Sequence, residues 1–416
     1  MTSLPGHWAL GIDNWVLRRP ARTQNRRNHF IPPGPSGHAG RVTERLVEIV
    51  ETVLRQSSRT SPADSVLRAE LKRQRGLAPE ESRAAAAAVF AYYRWREWVQ
   101  ECPSLREQIG AALERQSRYD RGEPVPEAEL RAWAVPAWAM EEAPWTLPWL
   151  QALQRPPALW LRSRPGQRDA LAKQLGDCQR VSAKALGCAL AYAGARDLFQ
   201  TEQFHRGEFE LQDLSSQAVG WVCGPRPGET WWDACAGEGG KMLHLSDLME
   251  NKGLIWASDR AEWRLQRLRR RAGRAQVFNY RTVRWDGGTK LPTRTRFDGI
   301  LVDAPCSGVG TWQRNPHARW TTTRDDVREL AALQVTLVIR AAEALKPGGR
   351  IFYAVCTLTR AETTDVVAQV QASCAKLEPC PLNNPFAPDD EPAPAIWFGP
   401  DQGGNGMFVS AWRAAG

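Results

Sequence analysis

Several familiar protein classes are excluded by what this 416-residue chain does not contain. No apolar run approaches the roughly 20 residues needed to cross a bilayer, so no membrane span is expected. The amino terminus has no apolar h-region, and Arg18-Arg19 runs directly into polar residues, so export is not expected. Neither CxxC nor HxxxH spacing occurs, which removes the usual zinc sites, and no metal is expected. GxxxxGK[ST] and GxGxxG are both missing, so there is no P-loop and no dinucleotide fingerprint. Nine cysteines without an export signal suit free thiols in a reducing cytoplasm.

What is present is basic and rich in tryptophan. The net charge is +9, carried mainly by Arg, and there are 19 Trp residues. Such a balance suits a polyanionic partner, because each neutralised phosphate releases counterions; a plain Arg-rich bias is the alternative. Within residues 1–40, Arg18, Arg19, Arg22, Arg26 and Arg27 have no acid between them and lead into Pro32-Pro33-Gly34-Pro35. This stretch reads as a disordered basic arm. Residues 41–157 read as a helical domain and linker. Val42, Leu46, Ile49, Val50 and Val53 repeat at helical spacing, Ser61-Pro62-Ala63-Asp64 is a helix start with Ser61 as its cap, and Pro79-Glu80-Glu81 is another. The Pro- and Trp-rich residues 120–158 read as a connection. Residues 158–210 read as a small α/β subdomain.

From residue 211 to 416, strands and helices alternate, which predicts an α/β, doubly wound, Rossmann-like sheet. The expected strands are Thr230–Cys235, Gly253–Asp259, Gln276–Tyr280, Phe297–Asp303 and Arg350–Cys356, and the tail GMFVSAWRA adds a terminal strand, with antiparallel pairing open to it. The first strand runs into Cys235-Ala236-Gly237-Glu238-Gly239-Gly240-Lys241 and then a helix. Glycines there let backbone N–H groups approach a ligand at the helix start. Asp259 ends the next strand, where an acid can bond a ribose hydroxyl pair, and Asp286 follows the third strand, where an acid can accept from an adenine amino group. Lys241 either contacts a cofactor carboxylate or RNA, or simply points to water. These features describe an adenosine site, and S-adenosylmethionine (SAM) suits it better than NAD because thiols follow. Those thiols lie at strand ends: Ile300–Trp320 reads ILVDAPCSGVGTWQRNPHARW, and Arg350–Thr357 reads RIFYAVCT. Read alone, each cysteine is most simply a small buried residue. Together with Asp303 and the Gly-rich turn, the pair points to chemistry.

DACAGEGGK at 233–241, DAPCSGVGTWQRNPHARW at 303–320 and YAVCTLTRAET at 353–363 resemble three signature motifs of the RsmB–Nop–Sun family of SAM-dependent RNA cytosine-5 methyltransferases. FELQDLSSQA at 209–218 is similar to the segment that precedes the family's cofactor site. The resemblance covers residues 158–416. The helical region resembles, more weakly, the RNA-binding domain shared with the antitermination factor NusB, as in the bacterial ribosomal RNA enzymes. The resemblance implies that Cys356 is the nucleophile that adds to C6 of cytosine, that Cys306 helps to release the product, and that Asp303 contacts the base and the cofactor's reactive end. The residues alone do not order the two thiols. It also implies SAM held by residues 235–241, Asp259, Asp286 and Asp303, with ribosomal RNA as the substrate and tRNA as the alternative, in a cytoplasmic monomer. Arg314, His317 and Arg319 are expected to meet RNA phosphates, and the seven Arg between residues 260 and 274 are either a solvated face or a further RNA contact. The chain departs from the family at Glu238, where Pro is usual, and at Val355 and Thr363. A catalytically silent ribosome-assembly factor is the rival from another class.

Overall fold

The computed structural model describes residues 42–74 and 76–416; the basic arm expected over residues 1–40 lies outside them. The chain divides into two units. One comprises the residues up to Pro157 together with Thr311–Arg324, and the other comprises Ala158–Gly310 together with Asp325–Gly416.

The first unit is helical. Its longer helices are Glu44–Gln56, Ala63–Arg73, Pro79–Val99 and Leu105–Asp120. Thr43 caps the first by accepting from the Leu46 N–H at 3.2 Å. Leu46, Ile49, Val50 and Val53 are buried on one face, as their spacing predicts. Ser61 does not cap the second helix. Its backbone N–H turns back onto Ser58, and Pro62 takes the cap position. The connection expected over residues 120–158 is instead three short helices, Glu127–Trp133, Ala137–Glu142 and Leu147–Ala152. Pro126 and Pro136 directly precede two of them, and a proline opens the third, where its fixed φ and missing N–H cost nothing. Helices of under two turns leave no periodicity to read. Trp145 stacks on Trp149 at 3.9 Å and on Trp312, from the returning segment, at 5.9 Å.

The second unit contains two sheets. The smaller is antiparallel, with strands β1 (Leu159–Ser163), β2 (Cys178–Arg180), β3 (Ala189–Tyr192) and β4 (Phe209–Leu211) in the order β2-β3-β1-β4. The larger holds β5 (Thr230–Asp233), β6 (Leu254–Asp259), β7 (Tyr280–Arg284), β8 (Phe297–Asp303), β9 (Leu345–Val355), β10 (Leu377–Pro379), β11 (Ala395–Phe398) and β12 (Met407–Ala414). Its order is β10-β12-β9-β8-β5-β6-β7, with β11 paired to β12. The pairs β5–β6, β5–β8, β6–β7 and β8–β9 are parallel, and β12 runs antiparallel to β9. The order therefore reverses between β5 and β8, and ligands of such sheets bind in the crevice outside the strands' carboxyl ends at that point.

The third strand of the large sheet lies four residues later than its composition suggests. Gln276 takes a left-handed φ of 53°, and the Asn251 side chain accepts from the N–H groups of Phe278 and Asn279, so residues 276–279 form a turn. The Arg-rich segment is the helix Glu262–Arg274, and most of its charge is used internally. Arg271 and Arg274 close on Glu210, a buried acid of β4. Arg267 pairs with Glu238 at 2.8 Å, Arg269 with Glu262 at 2.8 Å, and Arg264 lies 3.7 Å from Asp259. These five arginines are structural counterions, not a free basic face.

Candidate active site

Three turns meet the carboxyl edge of the large sheet at the switch between β5 and β8. The first follows β5. Gly237 and Gly239 have φ of 54° and 88°, and a Cβ on Gly239 would sit 2.7 Å from Leu268. Only glycine fits there. The turn ends in the helix Gly240–Leu248, whose start carries no side-chain cap. Asp259, at the end of β6, holds this turn: its carboxylate accepts from the N–H of Gly237 at 3.1 Å and of Ala261 at 2.8 Å. Glu238 brings no unpaired charge to the turn, because Arg267 neutralises it and Arg271 donates to its carbonyl at 3.1 Å. Burial and the neighbouring carboxylates push the Cys235 thiol well up, so it stays protonated and inert. Asp286 lies exposed just past β7, where one of its oxygens accepts from the Gly288 N–H.

Asp233 was not singled out from the sequence, although an acid ending the first strand of such a sheet was a visible signal. It is fully buried, and its carboxylate has no side-chain hydrogen-bond partner among the described residues, with only the backbone N–H of Cys235 near it. Burial, aided by Asp303, pushes its pKa up to about 8. A buried acid beneath a Gly-rich turn fits a ligand that carries positive charge.

The second turn follows β8 and the third follows β9. Asp303 ends β8 and pairs with Lys241 at 2.7 Å. Burial works against the Lys241 charge, but Asp303 outweighs it and the lysine pKa rises. Lys241 thus faces an acid and not open water. Cys306 is buried, and its Sγ lies 3.2 Å from Sγ of Cys356, which immediately follows β9. The hydrogen bond to Cys356, together with burial, pushes the Cys306 pKa well up. Either sulfur can donate to the other across this contact, which spacing alone could not reveal. Gly310 donates to the Cys356 carbonyl at 3.1 Å and accepts from the Gly406 N–H at 2.8 Å, and a Cβ on Gly310 would lie 1.9 Å from the Gly406 carbonyl oxygen.

The expected phosphate contacts need correction. Arg319 is fully buried in the helical unit, where its guanidinium donates to the carbonyls of Ala134 and Leu153. His317 is buried against Tyr93, and burial lowers its pKa to about 4, so it is neutral. Neither can meet a phosphate from these positions. Arg314 is half-buried, and its charge reaches Asp64.

A mostly parallel sheet with a reversed strand order, a glycine turn over a buried acid and a thiol pair near Asp303 fit a methyltransferase domain. A crystal structure of a methyltransferase homologue from Pyrococcus horikoshii is similar to this chain with a TM-score of 0.53 and 28% identity, over 64% of this chain and 89% of that one. Residues 221–413 match the family described as 16S rRNA methyltransferase RsmB/F. Among curated proteins, the chain is 34% identical over 55% of its length to a probable ribosomal RNA small subunit methyltransferase B of Synechocystis sp., covering 54% of that protein. It is also 34% identical over 41% of its length to the mouse tRNA (cytosine(72)-C(5))-methyltransferase NSUN6, covering 38% of it. The chain thus spans about half the length of these relatives or less. Among the described residues no helix is long and apolar enough to cross a membrane, and no side-chain cluster could hold a metal.

Proposed function

We propose that this protein transfers the methyl group of SAM to C5 of a cytosine in RNA, with ribosomal RNA the favoured substrate. The observation that carries the reading is the thiol pair, Cys306 and Cys356 at 3.2 Å, beside Asp303 at the sheet's carboxyl edge. C5 of cytosine is a weak nucleophile, so the ring must first be activated. The Cys356 thiolate adds to C6, forming an S–C6 bond and pushing electron density to C5, which then takes the methyl group. Asp303, with Lys241 bonded to it, would steady the base during the addition. Loss of the C5 proton and of the sulfur from C6 restores the aromatic ring. Cys306, kept protonated and in contact with Cys356, is suited to assist that release. Asp233, Asp259 and the turn 235–241 are the groups that would hold the donor, and ionisation of Asp233 would suit its cationic sulfonium or ammonium. Arg314 is the remaining candidate for a phosphate contact. The base must leave its stack to reach the two sulfurs, so the target lies in an unpaired or extrudable position.

The test is direct. The Cys306→Ala protein is incubated with SAM and cytosine-containing ribosomal RNA or tRNA, then run on a denaturing gel. A covalent protein–RNA band that disappears in the Cys306→Ala, Cys356→Ala double variant supports the reading, and the RNA that gives the band identifies the substrate class. The reading fails if no band forms and the unmodified protein methylates no cellular RNA. A band from Cys356→Ala alone would reverse the two roles.

A further inference from the structure

The two thiol-bearing turns are joined by one buried acid that the mechanism above does not use. Glu362 follows Cys356 by six residues and is fully enclosed. Four neutral donors converge on its carboxylate. The Ser307 N–H reaches Oε1 at 2.8 Å, and the Gln334 amide reaches the same oxygen at 3.0 Å. The Ser307 hydroxyl and the Thr359 hydroxyl, the latter at 3.0 Å, donate to Oε2. The Gln334 amide also donates to the Pro305 carbonyl at 2.9 Å, and Tyr353 of β9 donates to the Gln334 side-chain oxygen at 2.8 Å or to the Glu362 carbonyl at 2.6 Å. Ser307 and Thr357 hydroxyls lie 3.1 Å apart. Residues on both sides of Cys306, and two of the three residues after Cys356, are thereby tied to a single centre.

We infer that Glu362 is the positioning residue of this site, an acceptor-only hub that holds the Pro305–Ser307 turn and the Cys356–Thr359 turn in one register so that both sulfurs meet the same base. The inference rests on the cytosine-5 reading. Burying a carboxylate with neutral donors alone is expensive, and an apolar core of the same volume would stabilise the fold at less cost. What an acid supplies and an apolar residue cannot is direction. Burial raises the Glu362 pKa, and the hydrogen bonds from Ser307, Gln334 and Thr359 oppose that rise; when ionised, the carboxylate only accepts, so all four donors point at it. Glutamine has the same shape but one acceptor oxygen in place of two: if that oxygen keeps the Ser307 N–H and Gln334 donors, the Ser307 and Thr359 hydroxyls must both turn round to accept from its NH2, and the two turns settle differently. Reactions that depend on near-attack geometry respond to shifts of this size: a displacement of about 1 Å costs about a hundredfold in rate.

The experiment compares adduct formation by Cys306→Ala with that by Cys306→Ala, Glu362→Gln at saturating RNA and SAM. In parallel, kcat and KM are measured for Glu362→Gln in the otherwise unchanged protein. The expected result is an adduct rate lower by about a hundredfold and a matching fall in kcat, with KM for RNA and SAM within about threefold of the parent. A role in stability alone predicts a lower melting temperature with the adduct rate of the folded protein intact, and that result overturns the proposal. If Glu362→Gln does not fold, Tyr353→Phe, which keeps the ring and removes one outer hydrogen bond, is read the same way with a smaller expected loss. A Cys306→Ala protein that traps no RNA defeats the cytosine-5 reading, and the hub role falls with it; one that traps RNA at the same rate with or without Glu362 defeats the hub alone.

Discussion

The two halves of one contiguous stretch, ILVDAPCSGVG and TWQRNPHARW, behave differently. The first half is the end of β8 and the turn after it, and every polar group in it faces the reacting edge or the Glu362 network. The second half leaves that unit altogether and supplies core to the helical one: Trp312 and Arg319 are fully buried there, and the Trp320 indole donates to the Tyr93 carbonyl at 2.8 Å. A motif that is continuous in sequence is therefore not one site. The proposed chemistry falls within its first eleven residues, and architecture occupies the rest.

That division can be broken by experiment. The largest effect is expected on the chemical side: Cys356→Ala should reduce methyl transfer by roughly a thousandfold or more while leaving the denaturation midpoint near the parent value. A residual rate near the parent's would mean that this sulfur does not attack. On the architectural side, Arg319→Ala leaves two buried carbonyls without their donor and should cost about 2–4 kcal/mol in urea unfolding. Single-turnover methylation by the folded fraction should stay within about threefold of the parent, and a large fall there would return Arg319 to the site.

Asp233 sharpens the comparison through pH. Its pKa is raised from 3.8 to about 8 by burial, so between those values the folded protein holds a proton that the unfolded chain releases. Its contribution to stability is present below about pH 4 and is lost as pH rises toward 8. A cationic ligand favours the ionised acid, so SAM should bind more tightly as pH rises to about 8, with proton uptake by buffer visible in titration calorimetry. Asp233→Asn should flatten both profiles. Equal slopes in the two proteins would show that this acid does not meet the donor. The smallest effect is expected for Glu238→Ala, which removes a partly exposed pair with Arg267 and should change stability by less than about 1 kcal/mol. A tenfold change in KM for SAM there would mean that this departure from the family retunes the cofactor turn.

Much of the catalytic unit could be read from the chain. Four of the five expected parallel strands lie within a few residues of their predicted limits, and the tail strand is antiparallel, because a buried strand leaves an apolar run bounded by glycine and polar residues. The thiol pair and Asp303 were legible because their spacing follows strand ends. Other features depend on partners distant in sequence. Glu210 neutralises arginines some sixty residues later, and an arginine count cannot reveal where its counterions come from. Arg319 and His317 look like a basic surface until Ala134, Leu153 and Tyr93 enclose them. Glu362 stands in the YAVCTLTRAET segment as an ordinary acid, and only the convergence of Ser307, Gln334 and Thr359 marks it out.

The excursion of Thr311–Arg324 has a consequence for how the protein is made. A chain emerging from the ribosome exposes its amino-terminal helices first, yet those helices lack Trp312, Arg319 and Trp320 until the second unit is more than half synthesised. At ~5–20 residues per second, the wait after Pro157 is roughly 10–30 s. During that time the carbonyls of Ala134 and Leu153 and the face of Trp145 have no partner from the returning segment. The helical unit is thus completed only after β8 has left the ribosome.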